Sequence, residues 1–218
     1  MIRKDFSFQE SELNYSIIIN RIHLEKKGLT LNDLFQIIKE LQNKYQNSII
    51  QFFNDFYVLD EKQIFNSIYY TQKAYIRKRL ISNNQNIEFL LYLSAKRQIK
   101  VCIDSFGISE EDIDKGILNY CVVSNKETLD QINQIVSEKI DFKEIELNYD
   151  NKTIEKYDRI KEFYEINENQ IKSVLNSLDD KYILENIERN DINLLFEVLN
   201  DLLCEKMVLL SLKGIKLE

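Results

Sequence analysis

From Ile87 to Phe106 the chain reads IEFLLYLSAKRQIKVCIDSF, in which Ile87, Leu90, Leu91, Ser94, Ala95, Gln98, Ile99, Cys102, Ile103 and Phe106 recur at i, i+3, i+4, i+7 spacing. This is the longest periodic signal in the 218 residues. It predicts one amphipathic helix over 87–106, with Gly107 as its C-terminal glycine stop. Upstream, the polar break Ser82-Asn83-Asn84-Gln85-Asn86 separates it from a second helix over 63–81. The regular part of that helix runs to Lys78, and Ile64, Phe65, Ile68, Tyr75 and Ile76 form its inner face.

Further out the periodicity changes. Ile17 to Leu24 alternates, with Ile18, Ile22 and Leu24 on one face, and a β-rich run extends from Ile49 to Leu59. Between them Leu31, Leu34, Phe35, Ile38 and Leu41 recur at helical spacing after Thr30, a suitable N-cap. Downstream, Ile117 to Val123 reads as a strand, Leu129 to Val136 as a helix and Ile145 to Tyr149 as a fourth strand. Beyond Asn151 the chain is helical and acidic. These elements predict an α+β fold of two layers, a small, mostly antiparallel sheet covered by helices over residues 1–150. Residues 151–218 are then a helical C-terminal extension packing on the core, on a partner, or on both.

Composition narrows the function. Hydrophobic residues make up 44% and charged residues 30%, as in a soluble globular protein. The longest strongly apolar stretch, Phe89 to Leu93, is far short of a bilayer span, and Met1-Ile2-Arg3-Lys4-Asp5 leads into no apolar h-region. The expectation is a cytoplasmic chain with no membrane partner. Cys102, Cys121 and Cys204 are too widely spaced for a zinc site or a disulfide framework and read as buried small hydrophobes. The four glycines (Gly28, Gly107, Gly116, Gly214) form no phosphate loop, and His23, the single histidine, has no neighbour at ligand spacing. The acidic run Glu110-Glu111-Asp112-Ile113-Asp114, read as a loop, lacks the ligand alternation of a calcium loop and is better taken as a solvated turn. No nucleophile is paired with a base, so the chain is expected to be no enzyme and to need no cofactor.

The formal net charge is −7, which does not by itself suggest a nucleic-acid partner. Its distribution does. Residues 61–100 hold eight Lys and Arg (Lys62, Lys73, Arg77, Lys78, Arg79, Lys96, Arg97, Lys100) against Glu61 and Glu88, a net of +6, which leaves −13 for the rest. Tyr70, Lys73 and Arg77 fall along one helical ridge, and an aromatic ring beside cations is a pattern that stacks a base and holds its phosphates. Arg97 sits at the margin of the 87–106 stripe one turn from Ser94, and Gln98 lies within it, where polar groups need partners or a ligand. An ordinary solvated helix face, with Gln98 satisfied by backbone, is the alternative reading.

The last helix, Leu194 to Leu212, is apolar over about half its circumference, wider than the roughly 100° that a simple surface helix needs. Leu199, Leu202 and Leu209 lie mid-stripe and are expected in the core. Phe196, Leu203 and Met207 lie toward one edge and are expected to meet a protein partner. The alternative is that the acidic extension covers this edge within the chain.

The string Glu88-Phe89-Leu90-Leu91-Tyr92-Leu93-Ser94-Ala95-Lys96-Arg97-Gln98-Ile99, followed by Ile103 and Phe106-Gly107-Ile108, resembles the signature helix of the PRPK-binding protein family, in its archaeal type. The stretch from Gln63 to Ala74, with its Lys73-Ala74 step, resembles that family's preceding helix, and Leu202 to Leu210 its closing helix. The resemblance implies a non-catalytic subunit of the KEOPS complex, which installs threonylcarbamoyl on the adenosine following the anticodon of certain tRNAs. It implies two direct partners, the kinase-like ATPase subunit and the single-stranded 3′ CCA end of tRNA, with other KEOPS subunits contacted indirectly. Carried over by position, Lys73, Arg97 and Gln98 match the motif; Arg77, Lys78 and Arg79 extend it, and Tyr70 and Ser94 stand beside it. Two features depart from the family pattern: the bulk of Tyr69 and Tyr70, and the length of the acidic stretch between Asn151 and Leu194. A pure protein scaffold that regulates the ATPase subunit without touching RNA is the second reading.

Overall fold

Thr30 begins the first helix as the sequence predicts: its hydroxyl accepts the Asp33 amide, and the Asp33 carboxylate returns to the Thr30 N–H, a reciprocal capping box. In the computed structural model, residues 1–8, 13–25, 28–147, 149, 151–178 and 191–212 are described. The order is β1 (Ile2–Phe8), β2 (Leu13–Leu24), α1 (Leu31–Lys44), β3 (Ile49–Phe53), α2 (Glu61–Ile76), α3 (Gln85–Ser94), α4 (Ile99–Phe106) and α5 (Glu110–Lys115). It continues with β4 (Ile117–Ser124), α6 (Lys126–Lys139), β5 (Phe142–Ile145), α7 (Ile154–Phe163), α8 (Glu168–Leu178) and α9 (Ile192–Leu212).

Every described strand pair is antiparallel, in the order β1-β2-β4-β3, with β5 continuing the β1 edge of β2. β2 and β3 therefore run parallel with β4 between them, and β4 and β5 run parallel with β2 between them. Each parallel pair is joined through a helix, α1 or α6, so the sheet is built from two split β-α-β units. The alternation of β2 separates two cores. Ile18 and Ile22 join Ile50, Phe52, Leu118 and Val122 beneath α1 and α6. Ile17 and Ile19 join Ile49, Cys121 and Val123 in the core shared with α2, α3, α4 and α7 to α9. The α+β class is as expected; helices on both faces add a layer to the two predicted.

Several local expectations are corrected. β1 carries no strand signal in the sequence, because Arg3, Lys4 and Asp5 interrupt its apolar alternation, as charges commonly do on an edge strand. β3 stops at Phe53, where Asn54 Oδ1 accepts the Phe56 amide and turns the chain. The fourth predicted strand lies a few residues earlier, at β5, because α6 ends at Lys139 and the chain pairs at once with Arg21–Leu24. The acidic run is the helix α5, capped by Ser109. Ile76, predicted on the inner face of α2, is exposed, while Gln63, Ser67, Thr71 and Ala74 are buried there.

The helix predicted over 87–106 is two helices. Ala95 takes a left-handed conformation at φ 49°, and Lys96 N–H turns back to Leu91 O at 3.3 Å. The cause is long-range. The Leu93 carbonyl, which a continuing helix would pair with the amide of residue 97, accepts the Tyr164 hydroxyl at 2.7 Å and Gln63 Nε2 at 2.9 Å. Gly107 does end α4, but at φ −69°. A Cβ there would collide with Ile103 O, so close approach rather than handedness calls for glycine.

Candidate nucleic-acid interface

α2 and α3 each end in a reversal, and the cationic segments lie on these two reversals. At the end of α2, Lys78 adopts φ 54°, Lys78 N–H bonds Tyr75 O at 3.1 Å and Arg79 N–H bonds Ala74 O at 2.9 Å. This Schellman closure turns Arg77, Lys78 and Arg79 out to solvent. The end of α3 repeats the arrangement at Ala95 and exposes Arg97 and Gln98.

The last turns of α9 divide the surface into two clefts. Tyr70, Lys73, Arg77, Arg79 and Tyr92 line one, closed by Val208, Ser211 and Leu212. Lys96, Arg97 and Gln98 line the other, about 420 Å³ in volume, opposite Lys206, Leu209 and Tyr164. Lys73 Nζ lies 5.2 Å from the Tyr69 ring centre and 5.8 Å from that of Tyr70, and donates to the Tyr69 hydroxyl at 3.4 Å. One face of Tyr70 is stacked on Tyr92 at 5.8 Å. Burial pushes the Tyr70 and Tyr92 hydroxyls up to about 12, so both are neutral donors at physiological pH.

The predicted residues thus separate into three groups. Tyr70, Lys73, Arg77 and Arg79 meet in one cleft, Arg97 and Gln98 face the other, and Lys78 is exposed on the turn between helices. Gln98, predicted within a buried stripe, is exposed because the helix breaks before it. Ser94 is not on the surface: buried, its hydroxyl donates to Leu91 O and accepts the Lys96 amide, completing the end of α3. Sequence reasoning did not place Lys96, Tyr92, Tyr164 or Lys206 at the site. Lys96 was visible in the basic segment, where its ammonium pairs with Glu165 and holds that carboxyl below its usual range. Lys206 and Tyr164 reach the cleft from distant parts of the chain and carry no local signal.

The predicted partner edge is corrected as well. Phe196, Leu203 and Met207 are all buried within the chain. Phe196 packs on Tyr157 of α7, with the ammonium groups of Lys152 and Lys156 near its ring. Met207 accepts the Ser67 hydroxyl at 3.8 Å and packs on Ala74 and Tyr92. Leu209, expected in the core, is 47% exposed instead. The described apolar side chains left at the surface here include Leu209 and Leu212 on α9, Ile76 on α2 and, on α4, Ile99 and Ile103.

No described helix is long and apolar enough to cross a membrane. No match emerges from the comparison with curated proteins. The family model of the kinase binding protein CGI-121 matches residues 31–206, a span that includes the sheet from β3 onward, the α2 and α3 ends that carry the cations, and most of α9. With most of its length matched, the chain belongs to the CGI-121 family of kinase-binding proteins.

Proposed function

We propose that the chain is a non-catalytic, archaeal-type accessory subunit of the KEOPS tRNA threonylcarbamoyladenosine-modification complex, working in the cytoplasm and binding both the kinase-like ATPase subunit and the 3′ CCA end of tRNA. The kinase-binding family membership supports the first partner. A single observation carries the second: in a chain of net charge −7, the cations Lys73, Arg77, Arg79 and Arg97 gather around two clefts beside Tyr70 and Gln98. Cation-lined grooves with stacking rings suit an unpaired strand, whose backbone and base faces are both accessible. The buried Phe196, Leu203 and Met207 support the fold from inside, and Ile99 and Ile103 on α4 offer the ATPase subunit an exposed apolar surface.

A gel shift with intact tRNA and with tRNA lacking its CCA end tests this reading. Binding that falls on removal of the CCA end supports it, and equal or absent binding of the two RNAs sinks it. A specific observation favours the second reading, a pure scaffold for the ATPase subunit. Tyr92 already occupies one face of Tyr70, and Lys73 already lies against two tyrosines, so both groups have partners without RNA.

A further inference from the structure

Glu88 is fully buried, at 0% exposure, and no Lys or Arg approaches it within ion-pair distance among the described residues. A buried carboxylate without such a partner is costly and persists where it does something specific. Here it faces the backbone of the segment leaving α2. Its Oε1 accepts the Ile81 amide at 3.2 Å, and its Oε2 accepts the Ile81 and Ser82 amides at 3.1 and 2.7 Å. The segment it holds begins with Arg77, Lys78 and Arg79, and Lys78 is kept in a left-handed conformation that non-glycine residues rarely adopt. One turn further along α3, Tyr92 lines the cleft that Arg77 and Arg79 enter.

We propose that Glu88 is a positioning residue for RNA binding: its carboxylate grips the Ile81 and Ser82 amides and so fixes the strained turn that aims Arg77 and Arg79 into the cleft. The proposal rests on the reading that this cleft takes a single-stranded RNA. Chemistry explains the choice of side chain. A carboxylate presents acceptors on both oxygens to two converging N–H groups, whereas an amide turns one of those positions into a donor facing donors. The other groups facing Glu88 are the hydroxyls of Tyr75 from α2 and Tyr92 from α3, and the Arg97 guanidinium beyond α3, which favours its ionised form.

Amide hydrogen exchange reads the grip without any RNA. In the natural chain the Ile81 and Ser82 amides should exchange about tenfold or more slowly than that of Asn83; equal rates overturn the proposal without needing a variant to fold. In Glu88→Gln, exchange at Ile81 and Ser82 and tryptic cleavage after Arg77, Lys78 and Arg79 should accelerate. The circular dichroism should stay unchanged, and tRNA affinity should fall about three- to tenfold. Unchanged exchange overturns the grip. Faster exchange with undiminished tRNA affinity overturns the positioning role if Arg77→Glu/Arg79→Glu does weaken binding, because the cations then act without being held. If Arg77→Glu/Arg79→Glu also binds tRNA normally, the RNA reading of this cleft has failed, and the positioning role fails with it.

Discussion

The Tyr164 hydroxyl donates to the Leu93 carbonyl at 2.7 Å across 71 residues of sequence, and both groups are buried. This bond ties the end of α7 to the break between α3 and α4, and Gln63 Nε2 donates to the same carbonyl. The acidic stretch after residue 150 is thus joined to the site through a buried polar knot. Tyr164→Phe leaves Gln63 as the remaining partner of Leu93 O and should cost about 1–2 kcal/mol in urea unfolding. Unfolding should remain a single transition, with circular dichroism and tyrosine fluorescence coinciding. A separate early transition for the α7–α8 segment would contradict the shared core.

Salt dependence addresses the RNA reading. Three or four phosphates neutralised on a single strand give a log-log slope of about −2 to −3. In Lys73→Glu/Arg97→Glu, with circular dichroism unchanged, binding should weaken and the slope should flatten. Affinity equal to that of the natural chain would favour the scaffold reading.

Lys78 offers a test of backbone strain. At φ 54° with an exposed side chain, replacement by glycine removes the steric penalty but raises the entropy of the unfolded chain. Lys78→Gly should gain about 0.5–1 kcal/mol, raising the melting midpoint by about 1–4 °C, while removing one cation from the turn. Calorimetry that shows a lower midpoint would mean that the lysine side chain makes a stabilising contact outweighing the strain.

Burial separates two kinds of apolar residue around α9 and α4. Met207→Asp or Phe196→Asp should lower the midpoint sharply, since an unpaired charge in the core costs several kcal/mol. Ile103→Asp, at an exposed position, should leave the midpoint within a few degrees yet reduce co-purification with the ATPase subunit. Full recovery of that partner by Ile103→Asp would move the docking surface off α4.

Glu88 also has a signature in pH. Burial raises its pKa in the folded chain above the ordinary 4.5, and the Ser82 and Ile81 amides and Arg97 oppose that shift without cancelling it. A raised value means that its contribution to stability is fully present below the unfolded pKa and is lost as pH rises through the folded one. Glu88→Gln cannot titrate, so relative to this variant the natural chain should lose stability between about pH 4.5 and neutrality. Urea midpoints of both proteins at the two ends of that range check the sign.

Much of this was legible in the sequence. Thr30 and the spacing after it gave α1, and the alternation of Ile17–Leu24 gave the central strand, because both signals are local. The break at Ala95 was not, because the residues that take the Leu93 carbonyl lie 30 residues before it and 71 after it. The same break put Gln98 on the surface. Of the site, Tyr70, Lys73, Arg77, Arg79 and Arg97 could be read from spacing and charge, whereas Lys206 and Tyr164 arrive only through tertiary packing. The width of the α9 stripe is legible, but most of its excess apolar surface is filled by α7 and by α2, with Leu209 and Leu212 left exposed.

The described strands are complete by Ile145, yet the core layer containing Ile17, Ile19, Cys121 and Val123 also needs residues of α9, which ends at Leu212. A ribosome adding about 5–20 residues per second takes about 3–13 s to make the 67 residues between those points. Until α9 is made, that face of the sheet is only partly roofed, first by α2, α3 and α4 and later also by α7 and α8. Its commitment to the native state therefore waits until α9 has been made. Before then it presents to chaperones the hydrophobic surface that the mature molecule encloses.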